Sequence, residues 1–167
     1  MGIDDAIKVK VKLDFSKEIN VKIKLHSKYV SLLRKGDLID LNYCGLMIDK
    51  VAEEYDIKYY EGDIFRVSLG VSMQLPEGKM AEIFARSSTQ DKFHVMLTNA
   101  VGQIENLYNG SGDLWMAELI ATDCGEMKLG DRILQFKITD VMPEVVFEIV
   151  DNLDNNNDRG GFGQSGY

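Results

Sequence analysis

The sequence predicts a mainly β fold, a barrel or a jelly roll, on three observations. Its apolar stretches are short, several alternate with polar residues, and turns rich in Gly, Pro, Asn or Asp separate them at regular spacing. Residues 87–93 are the best helix candidate. With 167 residues, of which 45% are hydrophobic, the chain has the size and composition of a single domain with its own core.

Alternation is clearest in the first 35 residues, which hold nine Lys or Arg against four Asp or Glu. Ile, Val and Leu alternate with lysine over residues 6–15 and again over 20–26. This period of two predicts a hairpin whose apolar residues form a half-buried face and whose lysines face water. We favour that interpretation over a nucleic-acid or membrane patch, since the net charge of −8 argues against general phosphate-backbone binding.

The rest of the chain continues the pattern of short strands. Residues 28–35 favour a helical turn, and residues 47–59 are ambiguous. The strands expected after these are 38–41, 64–71, 80–85, 94–97, 102–105, 114–122 and 133–140. Turns are expected at 75–78, 108–112 and 128–131, where Gly, Pro, Asn and Asp cluster.

The last 17 residues differ in kind. Residues 151–158 are mostly Asn and Asp, and residues 159–166 contain four glycines, so this stretch predicts a mobile tail after a β domain at 1–150. No apolar run approaches the roughly 20 residues that span a bilayer. Cys44 and Cys124 have no metal-site or disulfide-framework spacing. We therefore expect a cytoplasmic protein without a membrane segment.

Four segments carry candidate chemistry. Arg86-Ser87-Ser88 lies where a strand meets the predicted helix, so its guanidinium, hydroxyls and first helical N–H groups suit an anion. Taken alone, a serine at this place is more often only a helix cap.

The segment 99–110 carries a carboxylate, Glu105, and an aromatic, Tyr108. Near a phosphate site the carboxylate would act as general base for water, and the ring would pack on a flat ligand. The plainer alternative is a hairpin with a solvent-facing Glu and a core Tyr.

Polar residues interrupt the apolar strand at 130–136, namely Arg132 and Gln135. Arg132 is as well suited to a structural salt bridge as to a ligand. In the tail, Arg159 and Phe162 stand among glycines, a composition that can wrap a phosphate chain and stack on a base.

In this order, and with residues 36–41 upstream, the segments resemble the five motifs of the homotrimeric dUTPase family. The likeness covers roughly residues 36–167 and is greatest to bacterial and phage members with Arg-Ser-Ser in the second motif. It implies a distorted jelly-roll barrel that hydrolyses dUTP to dUMP and pyrophosphate with Mg²⁺, which lowers dUTP and supplies dUMP for thymidylate synthesis. It also implies three chains that share each site.

The resemblance also assigns roles to residues. Asp40, which would hold the metal through water, Glu105 and Gln135 are the implied catalytic residues. The 99–108 hairpin would read uracil, Tyr108 would lie under the deoxyribose, and the tail would close over the substrate. The implied substrate contacts are Arg86, Ser87, Ser88, Asn99, Gly102, Gln103, Ile104, Tyr108, Arg159, Gly161, Phe162, Gly163 and Ser165.

One departure from the family stands in the third motif, which usually reads Gly-Val-Ile-Asp and here reads Gly102-Gln103-Ile104-Glu105. The added methylene predicts a slower enzyme, because a shift of about 1 Å can cost on the order of 10²-fold in rate.

Two alternatives stay open from the sequence. One is a dCTP deaminase, alone or combined with dUTP hydrolysis, with Glu118 as its glutamate. The other is a weakly catalytic dUTP-binding regulator of the phage type, in a host cytoplasm. Such a regulator would bind a repressor through residues 1–35 or 46–60.

Overall fold

Fourteen short strands and one five-residue helical turn form the regular structure in a computed structural model that describes residues 18–155 and 157–161. In chain order the strands are β1 (Lys22–Leu25), β2 (Arg34–Lys35), β3 (Leu38–Asn42), β4 (Leu46–Ile48), β5 (Val51–Glu53), β6 (Ile57–Tyr59), β7 (Ile64–Ser68), β8 (Val71–Gln74), β9 (Lys79–Ala85), β10 (Val95–Leu97), β11 (Gly102–Ile104), β12 (Met116–Ala121), β13 (Gly125–Met127) and β14 (Arg132–Asp140). The predicted mainly β fold is confirmed. None of the helical structure in these residues has the length and apolar character to cross a bilayer.

The strands form two five-stranded antiparallel sheets and two small ribbons. One large sheet has the order β11-β9-β14-β3-β2, and the other has the order β10-β12-β7-β4-β5. The ribbons pair β1 with β8 and β13 with β6. The first large sheet carries Asp40 on β3, Gln135 on β14 and the strand β11 of the segment 99–108.

Alternate residues of both large sheets meet in one hydrophobic core. Leu41, Ile83 and Phe136 come from the first sheet and Leu119 from the second, and each is at most 2% exposed. Trp115 packs edge-on against Phe136, with ring centroids 5.1 Å apart. Burying such a side chain contributes roughly 1.5–3 kcal/mol, so this core fixes which residues of the first sheet face outward.

The register of the first sheet aligns polar residues on its outer face. Gln135 of β14 lies opposite Asp40 of β3 on one side and Phe84 of β9 on the other. A register shift between Arg132 and Leu134 shows that β14 is irregular where it begins. Such a bulge re-aims a side chain, and here it brings Arg132 toward Asp40.

Two predicted elements in the first half of the chain are wrong. Residues 28–35 form no helical turn, because Gly36, at φ +63°, lets β2 fold back on β3 as a tight hairpin. Residues 64–71 are not one strand either. The chain bends at Gly70, at φ +75°, where an added Cβ would lie 2.7 Å from the Cys44 sulfur. β7 therefore joins a large sheet and β8 joins a ribbon.

The second of the two basic strands is present but is not half-buried. All four residues of β1 are exposed, with Ile23 at 41% and Leu25 at 57%. Among the residues that the structure describes, β1 pairs only with β8, and beside it lies an open groove of about 850 Å³ lined partly by Ile39 and Phe136. The predicted strand at 6–15 lies outside the described residues.

After β14 the chain leaves the sheets. Residues 141–155 contain no strand and carry many exposed apolar side chains, which include Val146, Phe147 and Ile149 at 86–98% exposure. We call residues 141–155 the C-terminal arm. The division into a 1–150 domain and a 151–167 tail stays a prediction.

Candidate active site

Asp40 is the centre of a charged cluster on the outer face of the first sheet. Its carboxylate is almost buried and forms ion pairs with two guanidiniums, Arg86 Nε at 3.0 Å and Arg132 Nη1 at 3.5 Å. Arg86 Nη1 also donates to the Arg132 carbonyl at 2.7 Å. Two cations around one carboxylate leave a positive surface with guanidinium donors to spare, which suits a polyanion.

The turn after β9 holds Arg86 in place through a residue that the sequence did not single out. Thr89 is 1% exposed, and its hydroxyl accepts from the Arg86 backbone N–H at 2.8 Å and donates to the Ile133 carbonyl at 2.7 Å. This hydroxyl therefore ties the Arg86 turn to β14.

The helix predicted at 87–93 is only a π-helical turn, Thr89–Phe93. The helical turn is therefore shorter than predicted, and an anion site at its start stays a prediction. The hydroxyl of Ser88 makes no capping hydrogen bond, and Ser87 is exposed. Both serines therefore sit beside Arg86 with hydroxyls that a ligand can use.

Gln135 belongs to the same cluster. It lies across from Asp40 in the sheet, and its amide nitrogen donates to the Ala85 carbonyl at 3.0 Å, directly before Arg86. The structure thus brings Asp40, Arg86 and Gln135 together, as the resemblance implies, and adds Arg132.

The segment 99–108 carries the edge strand β11 at the far side of this sheet, with a turn on either side of it. β11 pairs with β9, with Gly102 opposite Ile83, Gln103 opposite Glu82 and Ile104 opposite Ala81. Gly102 packs its bare Cα against the Ile83 side chain, where an added Cβ would lie 3.1 Å away. Asn99 is exposed in the turn before β11.

A tight turn follows β11 and carries the two predicted functional side chains. The Tyr108 backbone N–H donates to the Glu105 carbonyl at 3.0 Å, and Glu105 is exposed. The Tyr108 hydroxyl donates to the Leu114 carbonyl at 2.8 Å, and burial raises the pKa of that phenol. The Tyr108 ring packs against the core, so a ligand would meet the ring and not its hydroxyl.

Within one chain, Glu105 lies far from Arg86. Ile104 pairs with Ala81, so Glu105 comes level with Met80, six residues before Arg86 along the chain. At about 3.4 Å per strand residue, the two backbones are about 20 Å apart. One chain therefore presents the two groups too far apart to act on the same phosphate.

Part of the tail is also described. Arg159 and Gly161 are exposed and contribute to no strand. Phe162, Gly163 and Ser165 lie outside the described residues, so their predicted roles stay predictions.

No protein-family model matches the chain. The chain is 41% identical over 137 residues to the SPbeta prophage-derived deoxyuridine 5'-triphosphate nucleotidohydrolase of Bacillus subtilis, covering 82% of this chain and 89% of that protein. The chain belongs to the dUTPase family.

Solved dUTPase structures share the fold. A mutant dUTPase of Staphylococcus bacteriophage 80alpha with dUpNHpp matches with a TM-score of 0.63 and 16% identity, over 89% of this chain and 99% of that one. A mutant dUTPase of phage phi11 of S. aureus, which coordinates a structural Mg(II) ion, matches with a TM-score of 0.60 and 12% identity, over 81% and 99%. At these identities the likeness shows the dUTPase fold.

The donor set near Asp40 suits a metal carried by phosphates. Among residues 18–155 and 157–161, no group of three or more His, Cys, Asp or Glu side chains is placed to hold a metal. Mg²⁺ usually keeps several waters and binds one or two carboxylates together with substrate phosphates. Asp40 supplies one such carboxylate beside the two arginines, so this dUTPase fits an ion that arrives on a triphosphate.

Glu118, the candidate glutamate of a deaminase, is held in another sheet. It lies on β12 and accepts from Arg66 Nε and from the Thr98 hydroxyl, each at 3.0 Å. The pKa of this carboxyl is lowered, mainly by the hydrogen bond from Arg66. A carboxylate stabilised in its charged form is a poor proton acceptor, which does not favour the deaminase alternative.

Proposed function

We propose that this protein hydrolyses dUTP to dUMP and pyrophosphate. The observation that carries the proposal is the 41% identity to a dUTP nucleotidohydrolase across 89% of that relative, in a chain with the dUTPase fold. The product dUMP would feed thymidylate synthesis, and the reaction would keep dUTP low.

The Asp40 cluster would hold the phosphate end of the substrate. Asp40 fixes the plane of the Arg86 guanidinium, so its remaining donors meet phosphate oxygens in a set geometry. Ser87 and Ser88 add hydroxyl donors beside it. Gln135 would lie near the phosphate at which water attacks, and Arg159 would approach from the tail.

The hairpin at 99–108 would hold the nucleoside. Backbone groups of Gly102, Gln103 and Ile104 read the uracil edge, and the Tyr108 ring lies under the sugar and excludes a 2′-hydroxyl. A slot built for one base edge rejects another because its own polar groups would be left unpaired. From the tail, Gly161, Phe162, Gly163 and Ser165 would close over this nucleotide.

Glu105 would act as general base and take a proton from the attacking water. Because Glu105 and Arg86 are about 20 Å apart within one chain, the base is supplied to the Arg86 cluster by a neighbouring copy. The exposed C-terminal arm gives each chain an apolar segment with which to hold that neighbour. We propose a closed homotrimer, in which each chain completes the site of the next.

Mg²⁺ is the proposed cofactor. When bound to the phosphates, held through water by Asp40, it would offset the charge that develops on the departing pyrophosphate. Arg86 and Arg159 would share that task from the protein side.

The test is pyrophosphate release from dUTP, dTTP, dCTP and UTP, measured side by side with and without Mg²⁺. We expect turnover of dUTP alone among the four nucleotides. Ammonia release from dCTP would favour the deaminase instead, and dUpNHpp binding without turnover of dUTP would favour the regulator. Glu105→Gln should lower turnover by on the order of 10²- to 10⁴-fold and keep dUpNHpp binding. Glu126→Gln, which changes an exposed carboxylate on β13, is the matched control.

A further inference from the structure

The side-chain amide of Asn106 joins two turns that are distant in sequence. Its Nδ2 donates to three backbone carbonyls, Leu75 at 3.1 Å, Pro76 at 2.8 Å and Lys79 at 3.2 Å. Carbonyls only accept hydrogen bonds, so this arrangement needs the NH₂ end of the amide and cannot be made by an oxygen.

Each of the two turns that Asn106 joins is closed by its own backbone hydrogen bond. The turn at 105–108 is closed by the hydrogen bond from Tyr108 N–H to the Glu105 carbonyl. The turn at 76–79 is closed by the bond from Lys79 N–H to the Pro76 carbonyl, with Gly78 at φ +78°. On the outer side of this turn, the Val141 N–H donates to the Gly78 carbonyl at 2.9 Å. Asn106 therefore fastens the Glu105 turn to a fixed part of the sheet.

We propose that Asn106 is a positioning residue for catalysis, which holds the backbone of Glu105 so that its carboxylate meets the attacking water. The inference rests on the proposed function, in which Glu105 is the base. A glutamate has one more rotatable bond than the aspartate usual at this place, so a mobile backbone would spread its carboxylate further. A fixed backbone limits that spread, and a misplacement of about 1 Å can cost on the order of 10²-fold in rate.

The uracil-reading strand does not depend on this clamp. β11 is held by its own ladder to β9, and Tyr108 is held by its hydroxyl bond to Leu114. Loss of the Asn106 contacts should therefore affect turnover more than nucleotide binding.

Asn106→Asp is the decisive variant, because it keeps the shape and replaces the donor with a carboxylate that faces three carbonyls. Asn106→Ala removes the donor without adding charge, in case the aspartate disturbs folding. Asn20→Asp makes the same chemical change at an exposed position and controls for the added charge. Circular dichroism and urea unfolding of each variant would establish that the chain is folded in the assay.

The measurement is a double-mutant cycle with Glu105→Gln, reading kcat for dUTP and Kd for dUpNHpp. We expect Asn106→Asp to lower kcat by about 10-fold or more with a much smaller change in Kd, and to have little further effect in the Glu105→Gln background.

Three results would overturn the inference: an unchanged kcat in Asn106→Asp, equal losses in kcat and in binding, or the same fold loss in both backgrounds. If Glu105→Gln lowers turnover strongly while Asn106→Asp leaves it intact, only this inference fails. If Glu105→Gln itself keeps full turnover, the proposed role of Glu105 fails first, and the inference fails with it.

Discussion

Mixing two inactive variants should restore activity, because Arg86 and Glu105 of one chain lie about 20 Å apart. Arg86→Ala should lose the phosphate contact, and Glu105→Gln should lose the base. In a mixed form of the proposed trimer, however, an intact Arg86 from one chain would meet an intact Glu105 from the next. With equal amounts and random assembly, about a quarter of the sites in a closed ring would hold both intact residues.

The assay is pyrophosphate release from dUTP after the two variants are co-expressed or refolded together, against each variant alone. We expect recovery to about a quarter of wild-type turnover per site. A mixture as inactive as its components, despite mixed trimers detected by a tag on one variant, would refute the shared site and place both residues in one chain.

Three further predictions concern single residues. Thr89→Val should destabilise the protein by about 2–4 kcal/mol in urea unfolding, because it leaves the Arg86 N–H and the Ile133 carbonyl without their partner. Thr89→Ser keeps the hydroxyl and is the control, so equal stability of the two would contradict the role given to that group. Glu105→Asp should raise kcat by up to roughly 10²-fold. Unchanged or lower turnover would count against a misplaced base. The Cys44 thiol, whose pKa burial raises to about 11, should resist alkylation at pH 8 in the folded protein and react once urea unfolds it. Rapid labelling of native Cys44, located by mass spectrometry, would show that the site opens.

The alternation of apolar and polar residues predicts much of this fold. In a sheet with one face on the core, the inward residues are apolar and the outward residues can stay polar. Strands β3, β9 and β14 follow the predicted pattern closely. The failures have local causes: the hairpin at Gly36 and the bend at Gly70 depend on positive φ values that a single glycine does not announce. The helix at 87–93 is shortened to a π-turn in a segment whose Thr89 bonds to the distant Ile133.

The candidate site, like the fold, is only partly predictable from the sequence. The order of the motifs identifies Asp40, Arg86 and Gln135 from the sequence, and the structure places them together. The sequence does not reveal the distance between Arg86 and Glu105, since that depends on the register of β11 on β9. Nor does it reveal Thr89 or Asn106, whose importance comes from carbonyls more than 25 residues away in the chain.

The Asp40 cluster has a consequence for how a highly charged nucleotide approaches this molecule. The protein as a whole carries a net charge of −8 and repels a triphosphate at long range, while two guanidiniums against one carboxylate attract it close by. At physiological ionic strength, charges separated by more than about 8 Å are largely screened, so the repulsion fades and the short-range attraction survives. Moderate salt should thus speed the capture of substrate, where most phosphate-binding proteins are slowed by it.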